Sequence, residues 1–253
     1  SSDLKPFPSN LDLKFIIIYT FSRLIVFEMR KLLTIFLLIV SSLSLSGSDG
    51  YKRNIHLDIL NYSFSISVSD TSDMIFGKAA VTMFFRGDSA EISLDLRNLR
   101  TDGKGMVVDS VIFSESGIKW HHADNRITVI PEKPVKKGTK AVLEIVYHGI
   151  PADGLIISNN KFGSRTFFSD NWPDRASNYL PCIDHPYDKA TVDFYIVAPF
   201  HYDIIASGHL AEESRLTGNR RLTHWKEDVP LPTKVMAFGA ADFDFQLAGT
   251  PDS

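Results

Sequence analysis

A chain of 253 residues that is 44% hydrophobic and 11% aromatic can bury a sizeable core, as one large β domain or as two smaller ones. Its net charge of −3 and pI near 6.2 leave no basic stripe to neutralise phosphates, which excludes a nucleic-acid partner. The single cysteine, Cys182, excludes an intrachain disulfide framework, so apolar burial must stabilise the fold.

The first fifty residues differ in character from the rest. Met29-Arg30-Lys31 is a basic start, residues 32–40 are a nine-residue apolar run, and Ser44-Leu45-Ser46 before Gly47 is a small-x-small cleavage sequence, which together read as a signal peptide over 29–46. Nine residues span about 14 Å of helix against a hydrocarbon core of about 30 Å. The expectation is therefore transient contact with the membrane, cleavage, and export to the periplasm or the medium, with membrane anchoring if cleavage fails. Upstream, residues 15–27 are apolar but broken by Arg23, and the chain starts from Ser1, so residues 1–28 read as an upstream extension before a natural start at Met29.

From residue 47 to 247 the pattern is that of one β domain. Ile55, Leu57 and Ile59 alternate, then Tyr62, Phe64, Ile66 and Val68 keep the period of two with opposite parity, which places a bulge at Leu60-Asn61. Strands follow over 75–85, 92–96 and 107–113, with a polar turn at 101–105. Asp124-Asn125 reads as a hairpin turn between 118–121 and 126–130. Alternation at Ala141, Leu143, Ile145 and Tyr147 gives another strand, and residues 149–163 read as a long irregular connection. Residues 165–199 open as an aperiodic, acid- and proline-rich loop whose two prolines, Pro181 and Pro186, pre-bend the backbone. The strand 189–197 receives it. Further strands are expected at 202–207, 222–225 and 233–241, polar turns at 212–221, and the start of a linker at 248–253. The class is all-β: a mainly antiparallel twisted sheet or sandwich.

Chemistry is sparse. None of the eight histidines stands in H-E-x-x-H, G-x-S-x-G is absent, and the adjacent His121 and His122 point to opposite faces of a strand, so no catalytic residue or metal site is readable. Cys182 reads as a small buried apolar residue. What remains is the acid of the loop, Asp170, Asp174, Asp184 and Asp188, with Asn171, Trp172 and His185. These residues either cap turns through their own backbone or point outward to receive a cationic group such as an ammonium.

The loop carries a resemblance. Ala176, Leu180-Pro181-Cys182, Asp184, Pro186 and Lys189-Ala190 match the A-R-x-x-F-P-C-x-D-x-P-x-x-K-A pattern of the N-terminal domain of M1 zinc aminopeptidases, relatives of aminopeptidase N and leukotriene A4 hydrolase. Leu57 to Tyr62, Ser93-Leu94-Asp95-Leu96, Ile205 to Gly208 and Met236 to Phe243 resemble further motifs of that domain, in the same order. The resemblance implies a saddle-shaped β domain that packs beside a thermolysin-like catalytic domain in cis. That second domain carries G-x-M-E-N and the H-E-x-x-H zinc site, and neither motif stands in these 253 residues. It also implies that zinc belongs to the intact enzyme and not to this chain, which alone is expected to be inactive. A Gln or Glu near the start of the loop helps bind the substrate's α-amino group in the family; here that position falls on Asp170, beside Asn171 and Trp172. Pro181, Cys182, Asp184, Pro186 and Lys189 then frame the site. Ser177 stands where the family has an arginine, with Arg175 close by. The alternative is a free-standing β-sandwich module that binds peptides or a partner protein.

Overall fold

The computed structural model describes residues 23, 28–32, 34, 49–115 and 117–244. Its contacts divide the chain into two compact units, Ser1–Tyr51 and Lys52–Ser253. In the first, residues 28–32 are helical and Lys31 pairs with Glu28 at 2.9 Å. Most of the apolar run, the cleavage sequence and the terminal linker lie outside the described residues. No helix among the described residues is long and apolar enough to cross a membrane.

The second unit is built from strands in three sheets. β1 (Leu57–Ser69), β2 (Ser72–Phe85), β4 (Gly105–Phe113), β7 (Lys140–Ile150), β10 (Ala190–Pro199), β12 (His209–Leu216) and β13 (Arg220–Leu231) form a seven-stranded sheet in the order β12-β13-β10-β1-β2-β7-β4. Its pairs are antiparallel except β1 with β10. A four-stranded sheet, β11-β14-β9-β8, uses β8 (Leu155–Asn159), β9 (Arg165–Ser169), β11 (Asp203–Ala206) and β14 (Phe238–Ala241). A three-stranded sheet, β3-β6-β5, uses β3 (Ile92–Asp95), β5 (Ile118–Ala123) and β6 (Arg126–Pro131).

Alternation explains most of this. In β1 the register steps from Ile59 opposite Met83 to Asn61 opposite Thr82, leaving Leu60 as an extra residue. That bulge switches the buried set to Tyr62, Phe64, Ile66 and Val68, as the parity change requires. Asp124 and Asn125 have φ of 52° and 59°, the pair of left-handed residues that a two-residue hairpin of matching twist demands. The core lies between the large sheet and the two small ones. Phe194 of β10 links the large sheet to the four-stranded one, its ring 5.7 Å from Phe64 of β1 and 6.0 Å from Phe238 of β14.

Four expectations need correction. The connection at 149–163 contains β8, because Leu155 and Ile157 pair with the start of the supposed loop, which is itself the strand β9. Of the polar stretch at 212–221 only residues 217–219 are turn; 212–216 end β12, an edge strand exposed along its length and hence without an apolar period, and 220–221 begin β13. The last expected strand begins with a 3-10 turn, Thr233–Val235, after Pro232, and only Phe238–Ala241 pairs. Ile55 precedes β1 and is exposed.

Candidate functional site

The loop after β9 is fixed from below by backbone and buried carboxylates. Cys182 and Asp95 form an antiparallel bridge, with Asp95 N–H donating to the Cys182 carbonyl at 2.7 Å and Cys182 N–H to that of Asp95 at 3.1 Å. The Asp95 carboxylate then accepts the Asp184 N–H at 3.1 Å through one oxygen and the Arg126 guanidinium at 2.7 Å through the other. Asp184, 7% exposed, accepts Ser177 N–H at 2.8 Å and the Thr233 hydroxyl at 3.3 Å, so one carboxylate ties the 3-10 turn Ala176–Asn178 to residue 233. Ile183 N–H reaches the Tyr62 hydroxyl at 3.0 Å, joining the loop to the central strand of the large sheet. Burial pushes the Cys182 thiol up, and Asp184 and Asp95 add to the effect, so the sulfur stays protonated and buried. Pro181 is buried, whereas Pro186 and Lys189 are exposed.

Asp188 is a second buried carboxylate, accepting the Ile59 N–H at 3.3 Å. Burial, with Asp58 nearby, pushes its pKa up to about 7 despite that hydrogen bond. An aspartate in the unfolded chain titrates near about 3.9. The fold therefore holds this proton more tightly than the unfolded chain does, and its stability falls as pH rises from about 4 to about 7. Asp188→Asn is expected to remove that slope and to be more stable than the parent by on the order of 2 kcal/mol at pH 8, as read by urea unfolding at pH 5 and pH 8. An unchanged slope would exclude Asp188 as its source.

The exposed edge is formed by residues 170–175. Asp170 N–H donates to the Gly154 carbonyl at 2.7 Å, and Arg175 N–H closes the turn onto the Asn171 carbonyl at 3.0 Å. Gly154 has φ of 72°, and a Cβ there would meet the Arg175 carbonyl oxygen, so the two segments touch backbone to backbone. Asn171 turns inward: it is 3% exposed, and its side-chain nitrogen donates to the Met236 carbonyl at 2.5 Å. Trp172 is 59% exposed, with the Lys234 ammonium 4.2 Å from its ring centre. The Asp170 side chain is 43% exposed and pairs with Arg175 at 2.5 Å through Oδ2. Thus Asp170 and Trp172 face solvent together, whereas Asn171, their neighbour in sequence, faces the core.

Asp95, Thr233, Arg126, Gly154 and Lys234 are the contributors that local reading did not assign to the site. Asp95 was visible as the acid in Ser93-Leu94-Asp95-Leu96, but nothing near it in sequence names its partners. Two surface cavities, of about 500 and 520 Å³, are lined by residues such as Asp70, His201 and Arg220 in one and Lys52, His56 and Ser93 in the other. Neither is lined by Asp170.

The model of the peptidase M1 N-terminal domain matches residues 59–235, well over half of the chain. The chain belongs to the peptidase M1 N-terminal domain family. This M1 domain is 24% identical over 159 residues to tricorn protease-interacting factor F2 of Thermoplasma acidophilum, covering 60% of the chain and 19% of that protein. It is 32% identical over 85 residues to leucine aminopeptidase 2 of Aspergillus terreus, covering 32% of the chain and 14% of that protein. Among solved structures, the M1 zinc metallopeptidase of Deinococcus radiodurans superposes with a TM-score of 0.62 at 24% identity, covering 73% of this chain and 42% of that one. A mutant of the same enzyme bound to a Tyr-Ser-Ala substrate gives the same values. These superpositions establish the fold, and the M1 domain spans less than half the length of each of these relatives.

The described residues offer no fit for a zinc ion. Among the described residues no three His, Cys, Asp or Glu side chains are grouped to hold a metal, and the chain has no H-E-x-x-H.

Proposed function

We propose that this domain forms one wall of the substrate cleft of an exported M1-type zinc aminopeptidase, where Asp170 receives the α-ammonium of a peptide. The observation that carries this reading is the Asp170 carboxylate, half exposed on a braced turn with only Oδ2 committed to Arg175; the resemblance implies that the family's amine-binding Gln or Glu falls at this position. A charge-assisted hydrogen bond to Oδ1 would fix the substrate's amino end. Trp172 offers a flat apolar surface beside it, and Asn171 serves by pinning the turn to the Met236 carbonyl. The zinc and the residues that hold it would come from outside these 253 residues, in a catalytic domain in cis. Export is supported by the basic start, apolar run and small-residue cleavage sequence over 29–46, and N-terminal sequencing of the exported protein should begin near Gly47.

L-Leucinamide, an amine without a carboxylate, is the direct probe. Titrated into the full chain and followed by amide chemical shifts, it should perturb residues 170–175 at millimolar concentration. Asp170→Ala should abolish the effect, and N-acetyl-leucinamide should produce none. Equal shifts with the acetylated compound would overturn the assignment.

A further inference from the structure

Arg175 is anchored at both its backbone and its guanidinium. Its N–H donates to the Asn171 carbonyl at 3.0 Å, and its own carbonyl accepts from the Asn178 side chain at 3.0 Å. The guanidinium then spans three acceptors: Nε donates to the Trp172 carbonyl at 2.6 Å, Nη2 meets Asp170 Oδ2 at 2.5 Å, and Nη1 approaches Asp153 Oδ1 at 3.4 Å. A side chain held at both its backbone and its head does not swing away when a second cation arrives.

We propose that Arg175 is a built-in counter-ion of the amine site, which holds Asp170 by one oxygen and keeps the affinity of the other oxygen for a substrate ammonium low. This inference rests on the assignment of Asp170 to the α-ammonium and adds how that site is regulated. The physical cause is charge. An ammonium bound at Oδ1 lies within a few ångströms of a guanidinium fixed at Oδ2, and the two cations repel across a surface of high effective dielectric. Removing the positive charge while leaving the carboxylate should tighten amine binding by the amount an exposed ion pair is worth, about two- to five-fold. Arg175 is thus a positioning and tuning residue. It does not itself contact the substrate.

The test uses the full chain and L-leucinamide, with binding followed by chemical shift. Arg175→Gln and Arg175→Met, both neutral, should bind two- to five-fold more tightly than the parent, and Arg175→Lys, which restores the charge, should return to the parent value. The gain should shrink as salt is raised, because screening removes the repulsion that the variants relieve. A merely structural role for Arg175 predicts the reverse: weaker binding in both neutral variants and no rescue by lysine. That result, or unchanged affinity, overturns the inference while leaving the Asp170 assignment standing. Absence of leucinamide binding in the parent and in all three variants overturns both.

Discussion

Gly77→Ala will destabilise the domain by about 3 kcal/mol, more than most surface or loop substitutions would. Gly77 lies on β2 directly opposite Tyr147 of β7. Both are interior strands of the large sheet, and the ring of Tyr147 is folded across the glycine. A Cβ added at Gly77 would overlap the ring carbons, and Tyr147 is 1% exposed, so the ring has no room to retreat. Glycine is thus required by close approach rather than by its dihedral freedom. Urea unfolding should show a lower midpoint with an unchanged slope. Trimming the ring should relieve the overlap, so Gly77→Ala with Tyr147→Leu should be more stable than the sum of the two single losses predicts, by 1 kcal/mol or so. Strict additivity would show that the glycine and the tyrosine do not interact.

The same pair shows why some of the fold was legible in advance and some was not. β1, β2 and β7 each bury one face, so their alternating residues state both the strand and its orientation, down to the bulge at Leu60. β8 and β9 do not alternate buried and exposed residues, so no period of two emerges from them. β12 has no buried face and therefore no apolar signature. The loop's stiffness was readable from Pro181 and Pro186, but its bracing was not. Asp184 is held by Asp95, 89 positions earlier, and by Thr233, 49 positions later, and only the folded chain brings these together. The divergence between Asp170 and Asn171 has the same origin: only the amide can donate to a carbonyl, and the Met236 carbonyl that accepts from it lies 65 positions away in sequence.

This bracing bears on function. An amine-binding carboxylate is useful only if its geometry is set before the substrate arrives, because ordering it on binding would cost affinity. Here the turn that carries Asp170 is closed by the Asn171 to Arg175 hydrogen bond, packed on Gly154, and underpinned by Asp184 and Asp95. On the proposed reading, the wall is therefore preformed.

The central claim, that this M1 domain supplies a binding wall while bond cleavage needs residues beyond these 253, is tested most directly by hydrolysis. The purified chain, supplemented with zinc, should release no arylamine from leucine- or alanine-arylamides above a buffer control, at any pH from 6 to 9. Zinc-dependent release that a chelator abolishes, from protein shown to be free of other peptidases, would contradict it.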